Sequence, residues 1–381
     1  MESPDSRSSG ERSGNCGGEA RVSAAELQGI MERIRSVVEE ERVQAALDIR
    51  RLTKTSSRNR RQLSPAVGPL VSMLQSGNSR SSEAAILGLL NLAVKDERNK
   101  ISIVEAGALE PLTAFLESRN SDLQGYAAAA LFTLSASSVN KPRMNAFGAI
   151  PLLINVLKDG NQQAKIDAIA ALHSLSTVED NLRIILSFHP IPPMISFLRT
   201  CKKSSKNAER CCALLESLVG FDEGRTALTA EEGGVLTVVE ILEEGSLQSR
   251  EHVVGALLTM CESDRSRYRE VILREGVIPG LLELTVQGTL KSQAKARRLL
   301  ELLRESTYRR SELQADTLEN IVSTIVSKID GDDQAQKAKK MLAEMVQISM
   351  EQSLRHLQRR ALMCTPTELP PGNRRSEVSS K

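Results

Sequence analysis

The sequence contains no tryptophan, and aromatic residues make up only 2% of its 381 positions. Its buried parts must therefore consist of aliphatic side chains, which suits thin layers of closely packed helices. A surplus of one charge is also missing, because 50 basic residues oppose 48 acidic ones and leave a net charge of +2. Neither a strong field nor aromatic stacking platforms are available for nucleic acid. We expect no nucleic-acid partner.

Long hydrophobic runs are absent too. No stretch approaches the roughly 20 apolar residues that cross a bilayer, and the polar N-terminus lacks the apolar core of a signal peptide. We therefore predict no integral membrane association and a cytoplasmic and/or nuclear localisation. The six cysteines form no CxxC pair, and we interpret them as reduced thiols. The sequence likewise has no HExxH motif, phosphate-binding glycine loop or GxSxG motif. No cofactor, no metal and no catalytic residue is predicted, so the protein is expected not to be an enzyme.

What the sequence does contain is a repeat. A Gly- or Pro-marked junction returns at Gly107, Gly148, His189, Gly233 and Gly276. These positions are 41 to 44 residues apart, which is the length of an armadillo repeat. Glycine at such a junction permits the positive φ angle of a tight turn.

Two further signals keep the same phase. The segment Leu89-Leu90-Asn91-Leu92 recurs in four later copies, and Asn99 is followed by Asn140 and Asn181. Within one unit, apolar residues lie at i, i+3, i+4 and i+7, as on one face of a helix. A unit this small cannot bury that face alone, so units must stack. The pattern predicts an all-α, right-handed α-solenoid of about six to seven armadillo repeats, with helical caps at both ends.

The domain boundaries follow from this periodicity. Residues 1–22 and 365–381 are polar, and we predict disordered tails. Residues 23–305 form the predicted solenoid, including an N-terminal capping helix that Ser23 begins. The apolar stripe of that helix is Leu27, Ile30, Met31, Ile34, Val37 and Val38. Residues 306–364 are predicted to form C-terminal capping and amphipathic helices. The last, Met-rich and basic at its end, either packs on the solenoid or binds a membrane surface or a calmodulin-like protein.

Three stretches of the chain resemble the repeat region of the plant U-box ubiquitin ligases. They are Gln44–Arg60, Asn99–Leu109 and Lys295–Leu303, and the resemblance covers roughly residues 43–305. It implies the protein-binding half of such a ligase. Only a polar tail and one amphipathic segment precede Val43, so we expect no U-box and no ligase activity of the chain itself.

The concave face of a solenoid, lined by the long last helix of each repeat, is the expected binding site. We predict that it holds an extended peptide segment of a partner protein. The resemblance of the fold to nuclear-import adaptors implies an Asn at one position of each long helix and Trp four residues earlier. The first position here holds Asn91, Thr133, Ser174, Ser217 and Thr259, and the second holds Leu87, Ala129, Ala170, Ala213 and Gly255. Capture of a nuclear-localisation peptide is therefore disfavoured.

Eight residues before the first position, three copies carry an acid, namely Glu83, Glu209 and Glu251. Such a row favours a basic partner, although ordinary solvated charges would produce it too. The candidate groove residues are Glu83, Leu87, Asn91, Thr133, Ser174, Glu209, Ser217, Glu251 and Thr259.

The sequence thus predicts a non-enzymatic scaffold or adaptor that is a monomer. A substrate-recognition component of protein ubiquitination is the alternative. A signalling kinase or a protein of the ubiquitin pathway is a candidate partner.

Overall fold

The computed structural model describes residues 23–304, all of whose regular elements are helical. The first eight helices are α1 (Ala24–Arg33), α2 (Glu39–Thr53), α3 (Ser57–Gln62), α4 (Val67–Leu74), α5 (Ser79–Ala93), α6 (Glu97–Glu105), α7 (Leu109–Leu116) and α8 (Ser121–Ser135). The next six are α9 (Asn140–Ala146), α10 (Ala149–Asp159), α11 (Gln162–Leu175), α12 (Glu179–Ser187), α13 (Ile191–Thr200) and α14 (Lys206–Leu218). The last six are α15 (Asp222–Ala230), α16 (Gly234–Glu244), α17 (Leu247–Ser263), α18 (Arg265–Arg274), α19 (Ile278–Gln287) and α20 (Leu290–Leu303).

From α3 onward the described helices group into six units, each with a short first helix, a second helix and a long third helix. Each long helix contacts the long helix of the neighbouring unit, from α2 through α5, α8, α11, α14 and α17 to α20. Second helices from α7 to α19 stack in the same order. The predicted armadillo solenoid is confirmed. The total number of repeats stays a prediction, because residues 305–381, and with them the predicted C-terminal helices and tail, lie outside the described residues.

The core is one continuous aliphatic cluster that runs from Ile30 to Leu303 through all the units. Its largest members include only two aromatic side chains, Tyr268 and Phe197. Because adjacent units share this cluster, each unit buries against its neighbours the apolar face that it cannot bury alone.

The N-terminal capping helix begins as predicted. The Ser23 hydroxyl accepts a hydrogen bond from the Glu26 amide at 3.1 Å, and Ile30 and Ile34 are buried. The predicted stripe is wrong at its end, because α1 stops at Arg33 and Val37 is 95% exposed. The Ser36 hydroxyl accepts from the Val38 amide at 3.1 Å, a local turn that competes with continuing the helix.

A buried row of asparagines ties each unit to the one before it. The Nδ2 atoms of Asn59, Asn99, Asn140 and Asn181 donate to the last carbonyls of the preceding long helix, at Leu52 (2.9 Å), Leu92 (3.0 Å), Leu134 (3.1 Å) and Leu175 (3.0 Å). These carbonyls have no partner within their helix. The periodic asparagines of the sequence therefore cap the C-terminal ends of the preceding long helices.

The row changes chemistry in the next unit. Gly224 takes the asparagine position, and a Cβ there would lie 2.1 Å from the Leu218 carbonyl oxygen. The neighbouring Arg225 instead donates through Nη1 to the carbonyls of Val219 and Gly220, at 3.0 and 2.9 Å. A guanidinium thus replaces the amide where the backbone approaches more closely.

The junction residues adopt the predicted left-handed conformation. Gly107, Gly148, Gly233 and Gly276 have φ between 62° and 89°, and His189 has φ of 51°. Only glycine adopts this region without a steric cost from Cβ. His189 is therefore the strained member of the series.

Asn99→Ala is expected to lower the free energy of unfolding by about 2 kcal/mol, because two carbonyls and the Ser64 hydroxyl would lose a buried partner. Urea unfolding followed by circular dichroism measures the effect. Asn145→Ala also removes an amide from the short first helix of a unit, and as the control it should change stability by less than about 0.5 kcal/mol. Equal losses in both variants would contradict the structural role of the buried row.

His189→Gly is expected to raise the unfolding free energy by up to about 1 kcal/mol, since it removes the left-handed strain and loses only part of that gain to chain entropy. Gly148→Ala should act in the opposite direction, as nothing lies within 4 Å of a Cβ there and the cost is purely conformational. Thermal unfolding compares the two. His189→Ala keeps the strain, so a gain from that variant would show that the histidine side chain causes the effect.

Candidate functional site

The row of long helices forms one face of the solenoid, and this face is concave. Arg210 on α14 lies over the ring of Phe132 on α8, with its Cζ atom 5.0 Å from the ring centroid. Lys295 on α20 reaches Glu216 on α14, with 2.7 Å between Nζ and Oε1. Each contact skips the long helix between, and in a flat layer such helices would be about 20 Å apart. Side chains two units apart meet only where the surface curves inward.

All nine residues that the sequence placed in the groove lie on the long helices. Glu83, Leu87 and Asn91 belong to α5, Thr133 to α8, Ser174 to α11, Glu209 and Ser217 to α14, and Glu251 and Thr259 to α17. Leu87 is only 9% exposed. Ser217 is exposed and the other seven are partly exposed. Their role in binding a partner stays a prediction.

The polar groups at the position of the adaptor asparagines are already occupied by backbone. Asn91 donates to the Arg50 carbonyl at 2.7 Å, and Ser174 donates to the Ser135 carbonyl at 2.8 Å. Both acceptors lie on the preceding long helix. Thr133 and Ser217 donate to carbonyls of their own helices, at 2.9 and 3.2 Å. Asn91 and Ser174 therefore link neighbouring long helices, whereas the hydroxyls of Thr133 and Ser217 are satisfied within their own helices.

The three predicted acids also have partners. Glu209 forms an ion pair with Lys206 on its own helix. Glu251 accepts a hydrogen bond from the Thr289 hydroxyl at 2.5 Å, at the first turn of α20. Glu83 accepts a hydrogen bond from Tyr126 on α8, and burial together with this carboxylate raises the pKa of Tyr126. The three acids are thus already engaged by the protein's own groups, although only Glu209 is paired with a cation.

The N-terminal part of the face contains a cavity of about 260 Å³ between α2 and α5. It is lined by Val43, Leu47, Arg50, Arg80, Glu83, Ala84 and Leu87. At its rim Arg80 makes a bidentate ion pair with Glu40, with distances of 2.8 and 3.0 Å. Two predicted residues, Glu83 and Leu87, therefore share one depression.

A row of Arg, His and Lys side chains that the sequence analysis did not select lies next to the predicted positions. Seven residues before Ser217, Thr259 and Leu302, the long helices carry Arg210, His252 and Lys295. Two full turns of a helix bring i−7 onto the same side as i. Continuing the search from i−4 and i−8 to i−7 would have found this row.

One carboxylate joins three long helices in this region. Glu216 on α14 accepts from Lys295 at 2.7 Å and contacts Nδ1 of His252 on α17 at 2.7 Å. Gly255 on α17 leaves the space for this, because a Cβ there would lie 1.8 Å from Glu216 Oε1 and 2.6 Å from Lys295 Nζ. The residue at the adaptor tryptophan position is therefore a glycine for a reason of geometry.

The pKa values in the face reflect its charges. Burial acts to raise the pKa of Glu216, but the hydrogen bonds from His252 and Lys295 outweigh it and lower that pKa. Burial lowers the pKa of His173 on α11, and the positive charge of Arg210 lowers it further. Lys141, which is 9% exposed, also has a pKa lowered by burial. Burial is thus the main cause of the lowered pKa values of His173 and Lys141, and Arg210 contributes at His173.

Reactive groups are not gathered in the described residues. No cluster of three or more His, Cys, Asp or Glu side chains between residues 23 and 304 could hold a metal ion. Burial raises the pKa of the Cys261 thiol to about 11, and it raises the pKa values of Cys201, Cys211 and Cys212 as well. In the same range, no helix is long and apolar enough to cross a membrane.

Stacked three-helix units with one continuous concave face define an armadillo repeat solenoid, a class of fold that typically serves as a non-catalytic binding scaffold. The family profile described as "Plant U-box protein ARM repeat region" matches residues 26–323. The chain belongs to this family.

Relatives and solved structures agree with this assignment. U-box domain-containing protein 45 of Arabidopsis thaliana is 30% identical over 63% of this chain and 31% of its own length. U-box domain-containing protein 19 of the same plant is 30% identical over 72% of this chain and 41% of its own length. The chain therefore spans less than half the length of these relatives. An engineered protein of known crystal structure is 20% identical with a TM-score of 0.64, covering 82% of this chain and 76% of that one, which shows the shared fold.

Gly255→Ala is expected to be less stabilising than Gly88→Ala by about 1 kcal/mol, because both gain helix propensity but only the first separates Glu216 from Lys295. A Cβ at Gly88 has no contact closer than 3.5 Å, which makes it the matched control. Urea unfolding of the two variants measures the difference.

The difference should disappear in a Lys295→Met background, where the ion pair is already lost. It should also shrink as the pH falls below 4.5, the ordinary pKa of a glutamate. A carboxylate whose folded pKa is lowered contributes stability above that value and loses it as the folded state protonates. A difference that survives Lys295→Met would show that Gly255 has another role.

Proposed function

We propose that the protein is a non-enzymatic adaptor whose concave face binds an extended segment of a partner protein. The observation that carries the proposal is the unbroken row of seven long helices, α2 to α20, whose inner side chains remain partly exposed while the opposite sides form the core. At about 10 Å per helix this face is about 60 Å long. An extended peptide of about 17 residues has that length.

The properties of the face fit a polypeptide better than a small molecule. The side chains of Asn91 and Ser174 in this face already donate to backbone carbonyls, so a ligand would meet a preformed and rigid surface. Between the polar groups lie partly exposed apolar side chains such as Leu90, Phe132 and Leu258. Alternating apolar and charged spots along a channel suit a peptide that presents several side chains in turn.

A second candidate function follows from the relatives. Because the matched proteins are U-box proteins and the match lies in the repeat region, the chain is a candidate substrate-recognition component linked to ubiquitination. In this alternative the bound partner receives ubiquitin from a U-box, whose source the repeats do not define. Ubiquitination of a captured partner in a reconstituted reaction, lost when the groove is blocked, separates this role from a plain adaptor. The signalling-kinase partner, the monomeric state and the cytoplasmic and/or nuclear localisation stay predictions.

Filling the groove tests the proposal. The double variant Thr133→Trp and Ser174→Trp places two large rings at partly exposed positions on α8 and α11 and should weaken binding of extended peptides at least tenfold. Peptides selected from a random 15-residue display library on the unmodified protein serve as probes, and fluorescence anisotropy measures their affinity.

Val139→Trp and Phe147→Trp place similar rings on exposed positions that flank the short helix α9. This control variant should bind like the unmodified protein. Circular dichroism must show that both variants remain helical. Unchanged affinity in the groove-filled variant would place the peptide site elsewhere.

A further inference from the structure

Arg210 is a preorganised cation at the centre of the concave face. Its guanidinium is held over the Phe132 ring, 5.0 Å from the centroid. It belongs to none of the ion pairs and side-chain hydrogen bonds found among residues 23–304. A guanidinium that lies over an aromatic ring keeps its five N–H donors in its own plane, where they point outward from the group. The edge of Arg210 is therefore oriented and still able to donate.

A second group of nitrogen donors lies toward the C-terminus of the face. His252 and Lys295 occupy the same helix position as Arg210 on the next two long helices, and both side chains reach Glu216 on α14. Both of them depend on a single carboxylate, that of Glu216. The Lys295 ammonium also donates to the Glu251 carbonyl at 3.4 Å and has a third N–H that remains for another acceptor.

The charged groups packed near Arg210 do not supply it with a carboxylate partner. Lys141 on α9 has one hydrogen-bond partner among the described residues, the neutral hydroxyl of Thr177 at 2.6 Å. Burial lowers the pKa of His173, and the positive charges of Arg210 and Lys141 lower it further. The acids nearby are Glu209, which Lys206 neutralises, and Asp167, whose pKa burial raises and whose carboxylate accepts from Gln163 at 3.1 Å. Both acids are thus engaged by other side chains, and Arg210 has no ion-pair partner among residues 23–304.

We propose that this part of the face, centred on Arg210, binds acidic side chains of an extended partner segment. The Arg210 fork accepts an Asp or Glu carboxylate in a bidentate pair. The proposal rests on the proposed function, since it names the chemistry of the segment that the concave face holds. It reverses the expectation of a basic partner, because the acids behind that expectation are already partnered.

Peptide selection tests the inference without a known partner. Selection from the random 15-residue library on the full chain should enrich peptides that contain Asp or Glu. Arg210→Met should weaken the binding of the selected acidic peptides at least tenfold. Replacing the acids of these peptides by Gln or Asn should remove the difference in affinity between the unmodified protein and the variant. Phe132→Leu, which leaves the arginine without its ring, should have an intermediate effect.

Arg119→Met is the control, because Arg119 is exposed in the turn before α8 and the variant loses the same charge. It should leave affinity within about twofold. If the selection returns basic or uncharged peptides that the groove-filled variant no longer binds, the acidic preference is overturned while the peptide-binding function stands. If acidic peptides bind but respond equally to Arg119→Met and Arg210→Met, binding is a nonspecific charge effect and the site is overturned. If no selected peptide responds to the groove-filled variant, both proposals fail.

Discussion

The molecule depends on the burial of aliphatic surface between units that cannot bury it individually. The core has no boundary at any junction, and its members in one unit touch those of the next from Ile30 to Leu303. Leu, Ile, Val and Ala supply nearly all of this surface, so the helices approach closely without large rings. Everything else in the structure, including the concave face, is a consequence of how these layers stack.

Polar groups then fix the relation between layers. Hydrophobic contact is not directional, whereas a buried amide has a defined geometry. The asparagine row joins the first helix of each of the first four units to the end of the previous long helix. Asn91 and Ser174 join long helices to one another. Asn91 and Ser174, at the repeated position that the sequence places in the groove, therefore contribute to the packing of the helices whether or not a ligand is bound. A groove built in this way is rigid, which favours recognition of a flexible segment by a surface that is already in place.

Much of this could be predicted from the sequence because the signals are local and repeat. Gly148 and its counterparts mark positive φ angles, and a period near 41 is visible without coordinates. The stripe of the capping helix was extended too far, since nothing as strong as glycine or proline marks the turn after Arg33. The acids Glu83, Glu209 and Glu251 were placed on the right helices, but their partners depend on packing across helices. Contacts two units apart, such as Arg210 with Phe132, depend on curvature, which no single repeat encodes.

Gly255 has a consequence for mechanics. The missing side chain lets Lys295 cross α17 to reach Glu216, so an ion pair spans three successive long helices on the inner side of the bend. An attraction across the inner side of a curved solenoid opposes its straightening. The strength of this ion pair falls with ionic strength, and the C-terminal half of the solenoid should therefore relax toward a wider arc in concentrated salt while its aliphatic layers stay intact.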